Sequence, residues 1–133
     1  MQTVTEITFF PAGLQTTSIS PLAVENFGLL GEAAENAPFF PRRANAEFVT
    51  IVGAADFFVR VFERGSGETL SCGSGACAVA AALLIKKEYA AATRVTVEMP
   101  GGVLSVERVD GKLYLTGPAE EVFRGEYRTP FPI

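Results

Sequence analysis

Residues 63–78, Glu63-Arg64-Gly65-Ser66-Gly67-Glu68-Thr69-Leu70-Ser71-Cys72-Gly73-Ser74-Gly75-Ala76-Cys77-Ala78, set a thiol where a glycine-rich turn meets the start of a helix. The N–H groups of a first helical turn and the positive end of the helix dipole favour a thiolate there. The same donors can hold a substrate anion beside the sulfur. The chain contains no histidine, which removes the commonest general base and metal ligand, so acid–base chemistry falls to cysteine, carboxylate, lysine or tyrosine. Two cysteines with neither histidine nor clustered carboxylates do not make a zinc site, and no metal is expected. Cys72 and Cys77, five apart on one turn and helix start, are poorly placed to bridge and read as free thiols. Cys77, inside the helix, reads as packing.

The elements that must position Cys72 follow from pattern. Residues 3–10 have strand character ended by Pro11-Ala12-Gly13, and residues 16–20 read as a second short strand. Pro21, followed by Leu22, Val24, Phe27, Leu29 and Leu30, predicts one short helix, or two, broken near Gly28 and Gly31 and closed by Pro38-Phe39-Phe40-Pro41. Residues 46–52 and 57–63 read as a strand hairpin, and a helix is predicted over 74–89. Strands follow at 94–99, 103–109 and 112–116, the last two joined by Asp110-Gly111, a strong two-residue hairpin signal; residues 123–128 read as an edge strand. In the second helix Ala76, Ala78, Ala80, Ala81 and Ala82 alternate with Val79, Leu83, Leu84 and Ile85, so no polar stripe survives before Lys86. Such a helix is surrounded. The expected fold is α+β, a curved, mostly antiparallel, barrel-like sheet wrapped around one central apolar helix.

Length and composition bound the remainder. The 133 residues are 48% hydrophobic and 20% charged, enough for one packed domain spanning 1–133 and too short for two. A formal charge of −4 speaks against direct nucleic-acid binding and offers no basic membrane patch. The apolar run 76–85 falls short of the roughly 20 residues a membrane span needs. The first residues lack a basic segment and apolar core of an export signal, so a cytoplasmic location is expected.

Several motifs in register carry a resemblance. Arg60-Val61-Phe62-Glu63-Arg64-Gly65, Gly67-Glu68-Thr69, Cys72-Gly73-Ser74-Gly75-Ala76-Cys77-Ala78, Met99-Pro100-Gly101-Gly102 and Tyr114-Leu115-Thr116-Gly117-Pro118-Ala119-Glu120 together resemble the C-terminal half of diaminopimelate epimerase, over about residues 36–126. Members of that family have two similar halves, each a sheet curled around a central helix, with one cysteine from each half facing the cleft. One thiolate removes the α-proton of an amino acid and the other thiol delivers a proton to the opposite face, without pyridoxal phosphate or another cofactor. The resemblance implies that Cys72 is one of that pair, and that Gly73, Ser74 and Gly75 hold the substrate α-carboxylate. It also implies that Glu63 and Arg64 meet the α-amino and carboxylate groups, and that Asn45 contacts substrate. A place in lysine biosynthesis follows from the same likeness. Each residue also has a plainer reading. Cys72 can be a small buried hydrophobe, Glu63 and Arg64 can pair with each other or with solvent, Gly73 and Gly75 can serve turn geometry, and Asn45 can cap a turn.

Two departures bear on function. The family's first half, with its own cysteine, has no counterpart here, and the Asn-Pro-His segment expected near residues 9–17 is replaced by Phe9-Phe10-Pro11-Ala12-Gly13-Leu14-Gln15-Thr16-Thr17. Three expectations are compatible with that. The chain is an isomerase half, completed as a homodimer or by a separately encoded half; or it has lost catalysis and binds a protein or small acidic ligand as a regulator or inhibitor; or it is a fragment of a longer gene.

Overall fold

The computed structural model describes residues 15–19, 26–85 and 91–128. In chain order the elements are β1 (Gln15–Ile19), α1 (Phe27–Glu35), β2 (Asn45–Ile51), β3 (Asp56–Glu63), β4 (Gly67–Thr69), α2 (Gly73–Ile85), β5 (Arg94–Met99), β6 (Gly102–Val109) and β7 (Lys112–Thr116). The expected strand over 3–10, the helix start at Pro21 and the helix end at 86–89 lie outside the described residues.

Alternation along the strands builds one sheet with two different faces. The path runs β1-β2-β3-β5-β6-β7, with β4 pairing β3 off that path. Most neighbours are antiparallel, but β1 runs parallel to β2 and β3 parallel to β5. The sheet is therefore mixed, and among the described residues its edges do not close on each other. The second parallel pair follows from the chain's route. Leaving β3 through β4 and crossing along α2, it can re-enter beside β3 in the same direction, which a tight hairpin does not allow.

On one face Val49, Phe57, Val59, Val61, Val95, Val97, Met99 and Val106 surround Ala76, Val79, Ala80 and Leu83 of α2 in one continuous core. Alanines on several sides of α2 let the strands approach it, and the helix is buried around nearly its whole circumference from Gly75 to Leu84. On the other face Phe27 packs with Ala46 and Phe48, and Phe62 lies against them. The Arg60 guanidinium closes this second cluster, lying 3.9 Å from the Phe27 ring centre and bonding Glu68 through both carboxylate oxygens at 2.6 and 2.7 Å.

Three sequence expectations change. The helix predicted to break near Gly28 and Gly31 runs through both without interruption, because Gly31 is where α1 meets Phe62 at closest approach. Residues 123–128 form no strand and are exposed, since a strand-like sequence with no neighbour to bond gains nothing from being extended. The three-residue β4 lies in the Gly65 to Thr69 segment, where no strand is predicted; it is too short for an alternation to register. Between β6 and β7, Asp110 and Gly111 both have positive φ, 48° and 76°, the backbone of the hairpin turn their sequence implies.

Candidate active site around Cys72

Cys72 stands at the N-terminal end of α2 and acts as its cap. Its carbonyl accepts the first helical bond, from Ala76 N–H at 2.9 Å, and its Sγ accepts the Gly75 N–H at 3.4 Å. The sulfur thus takes the place that a serine or aspartate oxygen holds in an ordinary cap. Ser74 Oγ lies 3.4 Å from the same sulfur. The approach to Cys72 is fixed from the β5–β6 turn. Cys72 N–H donates to Met99 Sδ at 3.3 Å, Ser71 Oγ lies 3.7 Å from that sulfur, and Gly101 N–H bonds the Leu70 carbonyl at 2.7 Å. Gly101 must be glycine here, because a Cβ would come within 2.9 Å of that carbonyl oxygen. The Met99 to Gly102 segment therefore belongs to the scaffold of the thiol.

A second group of residues gathers at the end of β3. Asn45, the first residue of β2, accepts the Arg64 N–H on Oδ1 at 2.8 Å. The buried Glu35 at the end of α1 accepts the Gly65 N–H at 2.9 Å and pairs with Arg43, also at 2.9 Å. Glu63 accepts the Thr69 hydroxyl at 2.6 Å, and Arg64 donates to the Arg42 carbonyl at 3.1 Å. Glu63 and Arg64 thus engage other partners, and the Asn45 side chain fastens the turn that presents them. Replacing Asn45 by alanine is expected to cost about 1 kcal/mol in urea unfolding, the usual net worth of one such bond.

Between these two groups lies a residue that sequence reading passed over. Asn45, Glu47 and Val49 share the β2 face turned to α2, while Ala46 and Phe48 join the α1 cluster. Glu47 is fully buried at 0% exposure, and neither carboxylate oxygen has a hydrogen-bond partner. A Cβ built on Gly75 would lie 3.0 Å from Glu47 Oε1 and 3.3 Å from Cys72 Sγ. Carboxyl and sulfur therefore flank the same glycine, and Gly75 leaves room for both. Burial pushes Glu47 up to about 8, and the nearby Glu63 charge acts in the same sense. Its own main-chain N–H opposes them in part, without reaching hydrogen-bond geometry. Burial also raises the Cys77 thiol, with Cys72 contributing. Both cysteines are free.

The structure thus sets a capped sulfur and a buried, unpartnered carboxyl on either side of Gly75, with Asn45 on the same β2 face as that carboxyl. Comparison with known proteins follows that arrangement. The family described as diaminopimelate epimerase matches residues 16–122. The chain belongs to the diaminopimelate epimerase family. A diaminopimelate epimerase from Leptospira biflexa is 47% identical over 98 residues, covering 73% of this chain and 34% of that protein. Another, from Desulforudis audaxviator, is 48% identical over 103 residues, covering 76% and 36%. Among solved structures, a phenazine biosynthesis protein of the PhzF family from Bacillus anthracis aligns with a TM-score of 0.55 at 20% identity, over 84% of this chain and 37% of that one. A PhzF-family protein from Enterococcus faecalis aligns at 0.55 and 15% identity, over 74% and 35%. These two likenesses concern the fold. The chain spans 34% to 40% of the length of the relatives it matches. It is an epimerase-like domain, with no helix among the described residues long and apolar enough to cross a membrane.

Proposed function

We propose that this chain is one half of a cofactor-independent amino-acid epimerase, with Cys72 as the group that exchanges a proton at the substrate α-carbon. The observation that carries this reading is the Gly75 N–H directed onto Cys72 Sγ at the start of α2. A thiolate there is stabilised by a donor and by the helix dipole, in a place where the anion of a bound amino acid is favoured too. Removing a proton beside a carboxylate builds negative charge, which preorganised N–H donors and a cation stabilise. In this reading the first turn of α2, Gly73 to Gly75, receives the α-carboxylate, Arg64 supplies the cation, and Glu63 meets the α-amino group with Asn45 holding their turn. Diaminopimelate is the first substrate to try, because the sequence relatives bear its name.

One thiol serves one face of the α-carbon, so inversion needs a second acid–base group on the other face, which a second copy of this domain or the family's other half would supply. Leu113, Tyr114 and Leu115 are exposed on β7, the last strand of the sheet among the described residues, which supports assembly through that strand. Light scattering is expected to show a dimer or larger complex.

The direct test is deuterium incorporation at the α-carbon of diaminopimelate and a panel of amino acids in heavy water. Exchange registers proton abstraction even when the same enantiomer is restored. Cys72→Ala is expected to reduce it by about a hundredfold or more, in the range general acid–base groups contribute. Equal exchange in the two proteins, or none in a folded wild type, sinks the proposal.

A further inference from the structure

Glu47 has no role in the reading above, yet it is the one buried side chain among the described residues whose charged-group atoms are without hydrogen-bond partners. An unpartnered carboxyl inside a core is costly. A leucine or valine on that β2 position would continue the apolar face that Val49 belongs to. What distinguishes the place is its neighbour, since a Cβ on Gly75 would meet both Glu47 Oε1, at 3.0 Å, and Cys72 Sγ, at 3.3 Å.

We propose that Glu47 is a positioning residue of the Cys72 site, its carboxyl held beside Gly75 with its proton on, so that the β2 strand sets no fixed charge against the sulfur at the start of α2. This deepens the reading of Cys72 as the proton-exchanging group and rests on it for its use in catalysis. Two negative charges on either side of one glycine, one of them fully buried, oppose each other. A carboxyl pushed up to about 8 is neutral under ordinary conditions, so it leaves the cap donor and the helix dipole to the thiolate. Among the described residues, the groups that face it offer no cation to reverse this. Glu63 comes from β3, Cys72 and Cys77 are the titratable groups of the α2 segment from 72 to 84, and its register neighbours on β1 and β3 are Thr17 and Val61. Once ionised, Glu47 competes with the thiolate, and the site turns itself down in alkali.

The test reads the thiol and needs no substrate. In a Cys77→Ala background, the rate of iodoacetamide alkylation of Cys72 is followed from about pH 6 to pH 9, with and without Glu47→Gln. The glutamine variant is expected to match its parent at the acid end and to react roughly tenfold faster at the alkaline end, where only the parent acquires the opposing charge. A folded pair with superimposable profiles overturns the proposal. If Glu47→Gln does not fold, infrared spectroscopy of the wild type in heavy water decides instead. At pH 7 the exposed carboxylates are ionised, so a neutral-carboxyl stretch that vanishes by about pH 9 supports Glu47, and its absence at pH 7 refutes it. Coupled alkylation in a protein that exchanges no α-proton would sink the epimerase reading and leave the Glu47–Cys72 pairing intact; exchange with uncoupled alkylation would do the reverse.

Discussion

The folded chain should lose roughly 4 kcal/mol of stability between about pH 5 and pH 9 through Glu47 alone. In the unfolded chain this carboxyl releases its proton near 4.5, whereas the folded protein holds it to about 8. Between those values unfolding releases a proton, so stability falls as the pH rises. The contribution is fully present below the lower value and gone once the folded carboxyl ionises. The size comes mostly from desolvation of a side chain with no exposed surface. Urea unfolding at about pH 5, 7 and 9 measures it, and Glu47→Gln supplies the reference. The variant carries no titrating group at this position, so its stability should fall by roughly 4 kcal/mol less than the wild type's over the same range. Exposed carboxylates contribute equally to both proteins and cancel in the comparison. Parallel slopes would mean that Glu47 is ionised in the folded state.

The same residue shows where sequence reading stops. The thiol at a glycine-rich helix start is legible because its chemistry depends on a local backbone feature, the first turn of α2, and local features are written in consecutive residues. The apolar circumference of α2 and the Asp110-Gly111 turn are legible for that reason too. Glu47 is different. Its signal is a single carboxylate within Ala46-Glu47-Phe48-Val49, and period-two alternation places it with Asn45 and Val49. Its meaning lies in Gly75, which the fold brings next to it from 28 positions further on. The support of Cys72 by Met99 is hidden in the same way, because a methionine before a Pro-Gly-Gly turn reads as an ordinary strand end. Strand character at 123–128 misleads in the opposite sense, since propensity describes the residues and a strand also needs a neighbour.

Gly31→Ala tests the other place where local and tertiary preferences disagree. By helix propensity alone the change should help, by about 1 kcal/mol, and this is why a glycine-bearing stretch reads as a break. In the fold a Cβ on Gly31 would fall inside the Phe62 ring and against Phe62 Cβ. Phe62 already packs against Phe27 of the same helix, with ring centres 6.2 Å apart, so a ring that swings clear gives up that contact. Either α1 lifts from the sheet or Phe62 leaves its cluster, and a net loss of at least about 2 kcal/mol is expected. Gly28→Ala, three residues earlier with nothing within 4 Å of the new Cβ, is the control, and should be neutral or stabilising by up to about 1 kcal/mol. Opposite signs for the two substitutions in urea unfolding would show that close approach, and not helix propensity, fixes Gly31. The loss should also reach the candidate site, since Glu35 at the end of α1 holds Gly65 and Arg43. Displacing α1 therefore frees the turn that carries Arg64, and faster amide hydrogen exchange at Gly65 in Gly31→Ala than in Gly28→Ala is the corresponding local signature.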